Sequence, residues 1–130
     1  MSDVLRISPA EAYAKMTGEV FTYVDVRTEE EFEAGHPEGA VNIPSMLSGP
    51  EGMTPNPDFL PVMERAFAKD AALILGCKSG NRSLRAAKAL LEAGFTHVVD
   101  QRAGWDGAKG TFGELVEPGW SRTSLPRRPV

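Results

Sequence analysis

Apolar and polar positions change period several times along this chain, and each change marks an element. "AALILG" (Ala71 to Gly76) is an unbroken apolar run of strand length, as expected for a strand buried on both faces. "VFTYVDV" (Val20 to Val26) is β-branched and aromatic and reads as a second strand. Ala40 to Ile43 and "HVVD" (His97 to Asp100) read as two shorter ones. Elsewhere the period lengthens. In "RSLRAAKALLEAG", Leu84, Ala87, Leu90 and Leu91 share one face while Arg85, Lys88 and Glu92 fall elsewhere, the stripe of an amphipathic helix. Gly94 supplies its stop. Ser8, Pro9 and Glu11 spell a helix start with a capping box, and Thr28 with Glu31 repeats the signal before Gly35 ends a short helix. "DFLPVMERAF" reads as a further helix, with Pro61 tolerated in its first turn. The Pro- and Gly-rich stretch from Pro44 to Pro57 reads as an irregular loop, and such long loops are often functional. The end of the chain, from about residue 119, is Pro- and Arg-rich and reads as a loosely ordered tail bearing Arg122, Arg127 and Arg128.

Strands alternating with helices predict an α/β fold with a mainly parallel sheet. No repeat or linker divides the pattern, so residues 1–130 are read as one domain. Ligands of such sheets sit beyond the carboxyl ends of the strands, next to helix N-termini. Cys77 lies at such a place, between the apolar run and the clearest helix.

Composition narrows the chemistry. The formal net charge is −4, which argues against nucleic acid as a partner. No apolar run approaches the ~20 residues of a membrane span, so no membrane association is expected. The N-terminus lacks the apolar core of a signal peptide, which points to the cytoplasm. Cys77 is the one cysteine of the chain, so there is no internal disulfide, no Cys-x-x-Cys redox pair and little material for a metal site.

By position alone, a lone cysteine after an apolar strand is usually a small buried hydrophobe. The residues that follow it reverse that reading. Cys77-Lys78-Ser79-Gly80-Asn81-Arg82-Ser83 forms a loop whose backbone amides can turn inward as an anion-binding nest. The free N–H groups of the next helix add partial positive charge. Gly80 permits a backbone angle that a Cβ would resist, and Lys78 and Arg82 add formal charge. Each feature favours a thiolate over a thiol, and the same cradle would hold an anionic substrate.

These residues, together with "DVRTEEEFEAGHPEGAVNIP" (Asp25 to Pro44) and "AGWDGAKG", resemble the rhodanese (thiosulfate sulfurtransferase) family, in particular its single-domain plant-type and bacterial members. The resemblance covers nearly all of the chain from Ile7 to about Gly119. It implies a five-stranded, mainly parallel sheet flanked by helices on both faces. It also implies that Cys77 is the nucleophile and carries a transferable sulfur as a persulfide. The donor would be a small anion such as thiosulfate, and the acceptor cyanide or a thiol, a protein thiol included. No cofactor is implied. Lys78 sits where a basic residue can meet the donor. Ser79 occupies a position that is basic in some thiosulfate-using relatives. Arg82 is placed to bind the anion or to brace the loop, and Ser83 to cap the following helix. Asp25 and Arg27 are expected to pair locally and support the site, and His36 to be structural. Gly104 stands alone before Trp105 where relatives often carry two glycines.

Two rivals share the fold. Cell-cycle dual-specificity phosphatases place five residues between cysteine and arginine; here four separate Cys77 from Arg82, a cradle sized for one sulfur rather than a phosphate tetrahedron. Arsenate reduction is a related alternative. Non-catalytic rhodanese-like binding modules commonly lack the cysteine that this chain has.

Overall fold

Five parallel strands make the central sheet of the protein, seen in a computed structural model that describes residues 4–129. In chain order the elements are β1 (Leu5–Ile7), α1 (Pro9–Gly18), β2 (Thr22–Asp25), α2 (Glu29–Ala34), β3 (His36–Pro37), β4 (Val41–Asn42), β5 (Met46–Gly49), β6 (Gly52–Pro55), α3 (Phe59–Ala66), β7 (Ala72–Gly76), α4 (Asn81–Glu92), β8 (His97–Gln101), β9 (Gly107–Lys109), β10 (Leu115–Pro118) and β11 (Arg127–Arg128). The sheet order is β1-β8-β7-β2-β4, and every pairing in it is parallel.

The apolar run becomes β7, and its neighbours on both sides explain its composition. Leu73 and Leu75 face one core with Val24 and Val26 of the β2 region and with Phe59, Met63, Ala87 and Leu90 of α3 and α4. Ile74, between them, faces the opposite core with Tyr23, Val99, Ala12 and Trp120. A strand with period-two side chains and apolar cover on both faces has no place for a polar residue. The expected architecture, a parallel sheet with helices on both faces, is therefore the observed one.

Both anticipated capping boxes form. Ser8 Oγ accepts from Glu11 N–H at 3.1 Å, while Glu11 Oε1 accepts from Ser8 N–H at 2.9 Å. Thr28 and Glu31 repeat the arrangement at the start of α2.

Two readings of the sequence need correction, and one element was not read at all. Residues 44–57 are not an irregular loop: β5 and β6 pair as an antiparallel hairpin, with Met46 opposite Pro55 and Gly49 opposite Gly52. Its prolines fall where the ladder does not need them, Pro50 in the turn and Pro55 at the open end. The tail is not loose either. Trp120 is fully buried, packs edge-on against Tyr23 with ring centroids 5.6 Å apart, and donates from Nε1 to the Pro126 carbonyl at 2.8 Å. β11 then pairs with β3. One indole of ~150–250 Å2 outweighs the Pro- and Arg-rich composition around it. Lastly, Leu5–Ile7 forms the edge strand β1; three residues, two of them exposed, carry no alternation from which to read a strand.

Candidate active site

β7 ends at Gly76, and Cys77 emerges at its carboxyl end with 3% of its surface exposed. Two bonds face its sulfur. Gly80 N–H donates to Sγ at 3.1 Å, and Ser83 Oγ lies 3.3 Å from it. In the second contact a thiol would donate to the hydroxyl, whereas a thiolate would accept from it. The first bond depends on Gly80, whose φ of 99° is left-handed. A Cβ there would run into the Arg102 carbonyl and the Arg6 guanidinium, so strain and lack of space both demand glycine.

Gly80 is also the N-cap of α4 and offers no side chain to cap it. The amides of the first turn are thus left for whatever anion the loop holds. α4 begins at Asn81, so Ser83 lies inside the helix and does not cap it. Its hydroxyl is free for Cys77, a correction to the expected capping role.

The loop backbone is tied down from the other side of the sheet edge. Trp105 N–H donates to the Cys77 carbonyl at 2.7 Å, and Asp106 N–H to the Lys78 carbonyl at 2.9 Å. Gly104 allows this approach, since a Cβ would stand 2.6 Å from the Cys77 carbonyl oxygen. The single glycine is enough, because its neighbour Ala103 is fully buried without conflict.

Arg82 is held by Glu31: Nη1 and Nη2 reach the two carboxylate oxygens at 2.8 and 3.0 Å. Burial pushes the Glu31 carboxyl up, but the bonds from Arg82 and Thr28 outweigh it and hold it at about 2. The guanidinium therefore faces an internal partner 51 positions earlier in the chain. Asp25 and Arg27 pair as expected, Nη2 to Oδ2 at 2.7 Å with both side chains buried. Arg27 also lies over the Trp105 ring, which links this pair to the Gly104-Trp105 turn. Lys78 stays exposed, 3.8 Å from Asp106. His36 stacks on Phe32 with ring centroids 3.6 Å apart and its Nδ1 lies 2.7 Å from the Phe32 carbonyl.

Two clefts flank the loop. One, of about 250 Å3, runs between the hairpin and α3–α4 and is lined by Met46, Phe59, Leu60, Arg82 and Arg85. The other, of about 290 Å3, is polar and lined by Arg6, Ser79, Asn81, Arg102 and Lys109. The loop thus brings together Cys77, Gly80 and Ser83 at the sulfur, turns Ser79 and Asn81 toward the polar cleft, and sends Arg82 to a brace.

Reasoning from sequence missed Glu31 as the partner of Arg82, since nothing local signals a contact across 51 positions. It also missed Arg6, carried by the unread strand β1, and Asp100. For Asp100 a signal existed: an acidic residue interrupts "VVDQ", in a strand whose neighbours are buried on both faces.

A buried sheet, a cysteine at its carboxyl edge and a Gly-containing loop opening a helix define one architecture. The Rhodanese-like domain model matches residues 8–111, and the chain belongs to the rhodanese-like family. It is 42% identical over 106 residues to thiosulfate sulfurtransferase 16, chloroplastic, of Arabidopsis thaliana, covering 82% of this chain and 78% of that one. It is 45% identical over 83 residues to the Arabidopsis protein HIGH ARSENIC CONTENT 1, mitochondrial, covering 64% of this chain and 49% of that one. The chain thus spans most of one relative and about half of the other. Among solved structures, Rv0390 from M. tuberculosis superposes with a TM-score of 0.80 at 29% identity over 98% of both chains. Among the described residues, no helix is long and apolar enough to cross a membrane.

Proposed function

We propose that this protein is a sulfurtransferase that carries sulfur as a persulfide on Cys77. The observation that supports this reading most directly is the pair of bonds on one sulfur, from Gly80 N–H and with Ser83 Oγ, at an uncapped helix start. The Cys77 thiolate attacks the sulfane sulfur of thiosulfate. A new S–S bond forms, the donor's S–S bond breaks, and sulfite leaves with the electron pair. The amide and hydroxyl that hold the thiolate then hold the charged persulfide. Cyanide, or a thiol, takes the outer sulfur and returns Cys77 to the thiolate, completing a ping-pong cycle.

Within this reading Lys78, exposed at the loop, meets the anionic donor, and Arg82, bonded to Glu31, braces the loop. The names of the thiosulfate sulfurtransferase relatives support a sulfur donor of that kind here as well. Similarity to a protein named for high arsenic content makes arsenate the second substrate to test.

Mass spectrometry of the intact protein after thiosulfate treatment tests the proposal. A single added sulfur, lost on adding cyanide and absent from Cys77→Ser, is expected. Unmodified protein, or full thiosulfate:cyanide activity in Cys77→Ser, would refute it. Faster turnover of arsenate with glutathione than of any sulfur donor would favour the second reading.

A further inference from the structure

Gly80 makes one of the two contacts on the Cys77 sulfur, and it is the residue of the loop least able to fix its own conformation. Its N–H donates to Sγ at 3.1 Å from a backbone at φ 99° and ψ −8°. The space around it admits no Cβ, so glycine is required, and glycine ranges over φ and ψ more widely than any other residue. Those two torsions alone set the direction of the N–H relative to the carbonyl of the same residue. Whatever holds the Gly80 carbonyl therefore also aims its amide.

Arg6 holds that carbonyl. Its Nη2 donates to Gly80 O at 3.1 Å, and its Nε donates to Asp100 Oδ2 at 2.8 Å. Arg6 and Asp100 are register partners of the parallel strands β1 and β8, so the sheet itself delivers the side chain to the loop. Asp100 is fully buried, and its Oδ1 has no hydrogen-bond partner. A half-paired buried carboxylate costs stability that an apolar residue in β8 would not cost. The pair is thus a poor staple for the sheet. What it achieves is to fix the plane of the guanidinium, with a second donor of that plane aimed at Gly80. A planar fork of donors holds two points at a set spacing, which a point-like ammonium does not.

We infer that Arg6 is a positioning residue for Cys77: anchored by Asp100, it clamps the Gly80 carbonyl and so keeps the Gly80 N–H aimed at the sulfur. The clamp matters most when the sulfur is charged, because a hydrogen bond to an ionised acceptor is the stronger one. Of the Arg6 side chain 37% is exposed, and it lines the polar cleft of about 290 Å3 with Ser79, Asn81, Arg102 and Lys109. Truncating it opens that cleft further, with room for a small cation to take its place. Tyr23 of β2 and Arg82 of α4 face Cys77, each with Asp25 beside it, and Lys78 follows it in the loop. All four are kept in the variants below.

This role rests on Cys77 being the nucleophile, and the test reads its thiolate directly. Iodoacetamide alkylation of Cys77 is followed against pH in the wild type, Arg6→Ala and Arg6→Lys, each checked for folding by thermal melting. Arg6→Ala should move the profile to higher pH, with the rate on its acid limb falling about three- to tenfold. Arg6→Lys restores the charge without the fork and should fall by nearly as much. Guanidinium ion at tens of millimolar should return most of the rate to Arg6→Ala, and methylammonium at the same ionic strength should not. An Arg6→Ala profile superimposable on the wild type would overturn the proposal. So would full recovery by lysine or by methylammonium, which would make charge alone the agent, and so would a shift that guanidinium leaves untouched. Should Arg6→Ala fail to fold, Arg6→Lys carries the expected shift, and a wild-type profile in it overturns the clamp. Alkylation proceeds whether or not sulfur is transferred, so a protein that forms no persulfide would refute the function above and leave this test intact.

Discussion

The Arg82–Glu31 and Arg6–Asp100 pairs grip neighbouring parts of one loop, yet they are built in opposite ways. Glu31 is about a quarter exposed, takes both guanidinium nitrogens, and closes the capping box of α2. Every lone pair that matters is used, and the carboxyl is held at about 2. Asp100 is wholly buried, meets Arg6 through one oxygen and leaves the other bare, and its carboxyl is pushed up. The first pair looks after shape, since a satisfied, partly solvated ion pair holds geometry at little cost. The second costs stability where an apolar residue would not, and what it holds is the loop backbone, through Arg6 and the Gly80 carbonyl.

Gly80 is where the Arg6–Asp100 pair meets the loop, through Arg6 and the Gly80 carbonyl, and breaking it should have the largest effect. Gly80→Ala places a Cβ against the Arg102 carbonyl at a left-handed φ of 99°. The loop must then rotate, losing the Gly80 N–H bond to Sγ and the Arg6 bond to the Gly80 carbonyl together. Denaturant unfolding should show a loss of ~2 kcal/mol or more, and sulfur transfer should fall by about a hundredfold. An active Gly80→Ala protein would mean that the amide is not what holds the sulfur.

Opening the outer pair alone should cost less. Arg82→Ala and Glu31→Gln should each lower stability by about 1–2 kcal/mol and reduce turnover equally with thiosulfate and with a neutral persulfide donor. Equality across donors is what a brace predicts. A loss confined to thiosulfate in Arg82→Ala, with Glu31→Gln unaffected, would reassign Arg82 to substrate and dissolve the contrast between the pairs.

Acid separates the pairs by sign. Glu31 has its carboxyl lowered from 4.5 to about 2, so its stabilisation is complete above about pH 4.5 and is lost as pH falls toward 2. Asp100 has its carboxyl raised from 3.8, so its ionisation removes stability as pH rises above that value. Urea midpoints between pH 2 and pH 6 should therefore climb less steeply with pH in Glu31→Gln than in the wild type, and more steeply in Asp100→Asn. The Glu31 contribution, screened by its partial exposure, is expected at about 1–2 kcal/mol.

What the sequence made legible divides along the same line. Period and caps gave the parallel sheet, both faces of β7 and the starts of α1 and α2, because these follow from neighbours within one turn or one pleat. The Cys77–Ser83 loop was legible because its residue types and their order carry the chemistry. The partners of that loop were not. Glu31 was read as a cap, correctly, and its second bond to Arg82 spans half the fold. Arg6 rides on a strand too short to have a pattern. Trp120 lay hidden in a composition that reads as tail, because one aromatic anchor changes a window average very little while burying a large surface. Ser83 was misassigned because the helix cap was placed on it, past the actual N-cap Gly80, and with Asn81 and Arg82 already inside α4 its hydroxyl lies beside the sulfur instead.

Lys78 belongs to neither pair and supplies the smallest and most diagnostic effect. It is exposed, and its contact with Asp106 is long, 3.8 Å between two solvated groups. Such a pair contributes almost nothing to folding, so Lys78→Ala should leave stability within about 0.5 kcal/mol of the wild type. Its charge stands beside Cys77 at the mouth of the loop and acts on an approaching anion by long-range attraction. kcat/KM for thiosulfate should fall by about two- to fivefold, with the loss shrinking as ionic strength rises and a neutral donor unaffected. A salt-independent loss shared by both donors would show Lys78 shaping the loop, and the donor's charge would then have to be met by the amides of α4 alone.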